Sequence, residues 1–136
     1  MKPTSRLWTV QIVLAALFLF AGVMKLLMPA AALEAQAHMP ALFLKFIGVC
    51  EVLGAIGVIV PWLTGIHRQL TPVAAAGLVV IMIGATVISA AQGPAVGAIV
   101  PAVVGLLAAY VVRGRWETAS RRTLVSLSPT TLRRAA

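Results

Sequence analysis

The chain has 136 residues, of which 61% are hydrophobic and 10% charged, with a mean hydropathy of +1.04. A soluble domain carries about 25% charged residues, so this composition excludes an ordinary soluble enzyme and predicts an integral membrane protein. The net charge of +8 would point to nucleic acid in a soluble chain, but most of the Arg lies outside the apolar runs, so membrane topology accounts for it and no nucleic-acid partner is expected.

Four runs reach the roughly 20 residues needed to cross a bilayer. The first, Leu7 to Met28, follows Lys2 and Arg6 and carries Lys25 near its end. With Ala30-Ala31-Ala32 behind it, this run imitates a secretory signal. It is longer than the roughly 7 to 15 residues of a signal core and Lys25 interrupts its end, so span one is read as retained. The break from Pro29 to Pro40 holds Glu34 and His38 and accommodates a short interfacial helix across Ala30 to Ala37. The second span, Ala41 to Trp62, contains Glu51, and the connection after it holds Gly65, His67 and Arg68. Only Gln92, Gly93 and Pro94 separate the third span, Thr71 to Ala91, from the fourth, Ala95 to Val112. So short a turn sets the last two spans side by side. The expected fold is all-α, an antiparallel four-helix transmembrane bundle. The segment 113–136 is rich in Arg, Ser and Thr and reads as a basic, disordered tail held near anionic lipid headgroups, with partner docking as the alternative.

Orientation follows from the charges. With a cytoplasmic N-terminus, the inner side receives Lys2, Arg6, Arg68 and the six Arg that follow the last span, while the outer loops contain no Lys or Arg. The positive-inside rule then places both termini in the cytoplasm of a multi-pass cell-membrane protein. Lys25 and Lys45 fall near the outer ends of their spans, where long side chains snorkel. Trp8, Trp62, Tyr110 and Trp116 collect at the inner interface as an aromatic belt.

The candidate site begins with Glu51, one of only three acidic residues, set in an apolar run. A carboxylate at mid-membrane costs about 2.5 to 3.5 kcal/mol on insertion scales, so it needs a partner or a task. Depth arithmetic at about 1.5 Å per residue makes Lys25 that partner. A static ion pair, a ligand or proton site, and a protonated, hydrogen-bonded Glu all remain open. Thr86 and Ser89, three residues apart on span three, join Lys25 and Glu51 as candidates for the lining of an outward-opening polar cavity. Gly48, Gly54, Gly57, Gly77, Gly84 and Gly105 are packing signals.

No cofactor motif is present and no metal site is expected. A single cysteine, Cys50, excludes an internal disulfide and the two-thiol motifs, and it reads as a small buried hydrophobe. His38 and His67 fall on opposite sides of the membrane and cannot share one metal.

Three motifs carry a family resemblance: Ala21-Gly22-x-x-Lys25-Leu26, then Gly48-x-x-Glu51-x-x-Gly54-Ala55-x-Gly57, then Leu70-Thr71-Pro72-x-Ala74-Ala75-x-Gly77-Leu78. In this order they resemble the DoxX-like family of small four-helix membrane proteins, over about residues 10 to 115. The resemblance implies the four-helix fold and places the family's Lys on Lys25 and its Glu on Glu51. Many relatives have a His near the outer end of the third helix, where this chain has Ser89, and a relay or metal role for such a His does not carry over. The family takes its name from a membrane subunit associated with an archaeal thiosulfate:quinone oxidoreductase, so quinone is a ligand implied by the resemblance alone.

Two classes of function follow. The chain is an accessory or anchor subunit of a membrane-associated redox system, with a partner subunit or a second copy docked on it. Alternatively, the bundle binds or carries a lipophilic, quinone-like molecule in a polar cavity around Glu51. A small multidrug-type exporter ranks third, because its Glu lies on the first helix rather than the second. No independent catalytic motif decides whether the chain is an enzyme.

Overall fold

The computed structural model describes residues 3–126 of the chain, with side chains from Ser5 to Thr118 and at Ser120. Lys2 and residues 127–136, with Arg133 and Arg134, lie outside the described residues. Five helices follow one another: α1 (Pro3–Leu27), α2 (Ala30–Ala37), α3 (Ala41–Thr64), α4 (Leu70–Gln92) and α5 (Val96–Ser126). Among the described residues there is no strand. All but α2 are long and apolar enough to cross a membrane. The short helix expected across Ala30 to Ala37 is α2.

Local chemistry sets the ends. α2 stops at His38, which takes a left-handed conformation (φ 51°) and donates its N–H to Glu34 O at 2.8 Å. The Glu34 side chain then turns to the next helix, its Oε1 accepting the Ala41 N–H at 2.9 Å. A carboxylate there satisfies a donor that the first turn of α3 leaves free and opposes the positive end of the helix dipole. Gly65 ends α3 at φ 73°, where a side chain would be strained.

Adjacent long helices run antiparallel. Along α1 the partners on α3 descend, from Val58 opposite Gln11 to Glu51 opposite Lys25. α4 packs on α3 and α5, and α5 closes the ring against α1. Both described ends of the chain therefore lie at the same end of the bundle. Each helix gives the core one stripe at helical spacing: Leu14 and Phe18 from α1, Ala55 and Val58 from α3, Ala75, Leu78 and Met82 from α4, Ala108 and Val111 from α5. The buried positions of α4 stop at Met82, and Ala108 is the first on α5. The half of the α4–α5 hairpin nearest its turn thus contributes no fully buried side chain.

Pro61 lies inside α3 and lacks the N–H that would bond Gly57 O. Thr71 of α4 supplies the replacement, its Oγ1 donating to Gly57 O at 3.2 Å and lying 3.4 Å from Val58 O. The proline that weakens one helix thereby fixes the next one against it.

α5 differs from the sequence expectation. It does not end near Val112 but continues to Ser126. No proline occurs between Pro101 and Pro129, and Arg113 Nε meets Glu117 Oε1 at 3.4 Å, one turn on. Residues 113–126, read from sequence as the start of a disordered tail, are helical.

Candidate functional site

Lys25 and Glu51 meet near the bundle end opposite the termini. Lys25 Nζ donates to both carboxylate oxygens, 3.0 Å to Oε1 and 2.8 Å to Oε2. Glu51 is 2% exposed, while the Lys25 side chain keeps 27% of its surface accessible. One glycine three residues before each partner permits the approach. A Cβ on Gly22 would stand 2.7 Å from Gly48 O, and a Cβ on Gly48 would stand 3.0 Å from Gly22 O and 3.1 Å from the Lys25 Cβ. In lipid, where apolar helices gain little from leaving their solvent, close backbone contact and a polar pair are what hold two helices together.

Thr86 lies elsewhere. Thr86 lines a groove of about 410 Å³ between α4 and α5, with Met82, Ile83, Pro101, Ala102 and Gly105 among its walls. Neither Lys25 nor Glu51 lines it. The Thr86 hydroxyl donates to Met82 O of its own helix at 2.7 Å, and Ser89 is half-buried. The structure brings Lys25 to Glu51, and it puts Thr86 on a separate, apolar surface.

A second polar cluster, at the end of the bundle that carries the termini, is absent from the sequence reading. Arg115 is fully buried, at 0% exposure. Its guanidinium carbon lies 3.9 Å from the centre of the Trp62 ring and 5.2 Å from that of Trp8. Its Nε donates to Gln11 Oε1. Gln11, also at 0%, donates its Nε2 to Val58 O at 2.7 Å. One amide thus joins α1, α3 and α5. Arg68 stacks on the same Trp62 ring at 4.9 Å, reaching back from the α3–α4 connection. Arg115 is therefore a core side chain rather than one charge among several on a solvated flank. The sequence signal was Gln11, which stands in the buried stripe Leu7, Leu14, Phe18 of α1 where an apolar residue is the default.

Among the described residues no group of three or more His, Cys, Asp or Glu converges on a metal position. His38 and His67 sit in connections at opposite ends of the bundle. Cys50 is half-buried, free of any disulfide.

No curated protein and no solved structure matches the chain. The sequence model of the DoxX-like family matches residues 9–111, a stretch holding all four spans up to the last turns of α5, together with Lys25, Glu51 and the glycines that let them meet. The chain belongs to the DoxX-like family.

Proposed function

We propose that this protein is a membrane subunit that anchors a partner at the bundle end carrying both termini. The carrying observation is the length of α5. From Val96 to Ser126 it measures about 46 Å at 1.5 Å per residue, against roughly 30 Å for the hydrocarbon core. The apolar run ends at Val112, and the helix continues past it to Ser126; residues 119–126 alone add about 12 Å, a projection on which a soluble protein can seat. Arg6, Arg113 and Trp116 are exposed at the same end of the bundle. The positive-inside rule puts this end in the cytoplasm, and the family resemblance makes a quinone-linked redox enzyme the class of partner to look for. The closed Lys25–Glu51 pair supports this reading over a carrier with a polar cavity, because its carboxylate is occupied on both oxygens.

A second reading rests on the α4–α5 groove, whose size and apolar walls around Thr86 suit a lipophilic chain or ring. Purification of the full chain from its native membranes in neutral detergent, beside a chain ending at Thr118, separates the two. Anchoring requires a redox enzyme held in fixed stoichiometry by the full chain and lost from the shortened one, with equal thermal midpoints for the two bundles. A chain that comes without a protein partner, but with a lipophilic molecule that Thr86→Leu releases, replaces anchoring with carriage.

A further inference from the structure

Three buried side-chain nitrogens lack a hydrogen-bond partner among the described residues: Nη1 and Nη2 of Arg115 and Nε1 of Trp62. All three are donors and all belong to one cluster. Buried polar groups in folded proteins are nearly always paired, and a buried charge without a counter-charge is costlier still.

The chain has no carboxylate side chain to spare for them. Of its three acidic residues, Glu34 caps α3, Glu51 is held by Lys25, and Glu117 lies exposed beside Arg113. Gln11 offers Arg115 a neutral oxygen on Nε only. The Arg68 guanidinium on the same indole adds a second positive charge where a negative one is needed.

We propose that this cluster is a binding site for a phosphate-type oxyanion, either the phosphodiester of a bilayer lipid headgroup or free inorganic phosphate. A guanidinium presents its two terminal nitrogens as a planar fork that matches two oxygens of such a group. The Trp62 N–H supplies a third donor, and Arg68 a second cation. Depth agrees with a headgroup: Arg115 lies three residues beyond Val112, the end of the apolar run, about 4.5 Å along the axis. Trp8, Trp62 and Arg68 are each only half-buried, so the cluster reaches the surface at their edges. The site is independent of the anchoring role and of the α5 projection beyond Thr118.

The test uses the full chain in dodecyl maltoside, stripped of lipid. The shift in its thermal midpoint is followed against phosphatidylglycerol, phosphatidylcholine and inorganic phosphate. Saturable stabilisation by the two phospholipids identifies the lipid phosphodiester as the occupant, and saturation by inorganic phosphate identifies the free oxyanion. Trp62→Phe keeps the ring and removes one donor, so it weakens binding about tenfold, the scale of a hydrogen bond to a charged group. Arg115→Lys keeps the charge, loses the fork, and weakens binding by at least as much. Arg113→Gln, at an exposed Arg, leaves it unchanged. The proposal is overturned by a midpoint that none of the three ligands moves, or by equal affinities in wild type, Trp62→Phe and Arg115→Lys.

Discussion

Gly22 and Gly48 face each other across the α1–α3 crossing so closely that a methyl on either would press on the other's carbonyl oxygen, at 2.7 and 3.0 Å. This contact sets how near the two helices lie, and the Lys25–Glu51 pair three residues further along each chain depends on that spacing.

Gly22→Ala is therefore expected to cost about 1–3 kcal/mol, the usual range for overpacking a filled site. Gly77 and Gly84 have no atom within 4 Å of an added Cβ. Alanine there gains helix propensity, and each change is expected to be neutral or stabilising by up to about 1 kcal/mol. Unfolding of the purified variants in mixed micelles measures both, and a harmless Gly22→Ala would contradict the close crossing.

The ion pair predicts an asymmetry. Lys25→Met strands a carboxylate that is 2% exposed, at a cost of about 3–5 kcal/mol. Glu51→Gln leaves a lysine whose side chain is 27% accessible and can reach water, so the loss is smaller. The double variant should be more stable than Lys25→Met alone. Additive losses in this double-mutant cycle would show that the two residues are not coupled.

Gln11 joins three helices while Thr86 bonds only to its own. Gln11→Leu should destabilise the bundle by about 1–3 kcal/mol, since it leaves the buried Arg115 Nε without a partner and removes the amide's bond to Val58 O. Thr86→Val should stay within about 0.5 kcal/mol of wild type. Thermal unfolding of the two variants side by side provides the comparison, and the order Thr86→Val below Gln11→Leu in stability would remove the bridging role of the amide.

Topology can be read with single cysteines in a Cys50→Ala background. Gln36 on α2 and Gln69 before α4 are both exposed, at opposite ends of the bundle. In intact cells a membrane-impermeant maleimide is expected to label Gln36→Cys at once and Gln69→Cys only after permeabilisation. The reverse pattern would invert the cytoplasmic assignment of the termini.

The pattern of polar residues shows which parts of this structure can be read from sequence. Glu51 and Lys25 could be matched because each is a charge isolated in an apolar run, and rise per residue gives their depths. Arg115 could not, because it follows Val112 in a stretch with five other Arg, and composition cannot separate a buried guanidinium from its solvated neighbours. The continuation of α5 was hidden for the same reason: loss of hydropathy marks the membrane edge, whereas a helix ends where a breaker or a cap stops it. Trp8 and Trp62 looked like interface residues, and in the fold they also cover Arg115. Thr86 and Ser89 share a helix face with each other, but nothing in linear spacing tells which neighbouring helix that face will meet.

The pairing of Lys25 with Glu51 also bears on how the chain is made. Synthesis runs from the N-terminus, so Lys25 leaves the ribosome 26 residues ahead of Glu51. The pair seen in the fold is expected to form as the second span enters, so that its carboxylate does not cross the hydrocarbon alone. In an in vitro translocation assay, Lys25→Met should lower the fraction of chains whose second span integrates. The same substitution introduced together with Glu51→Gln should restore it.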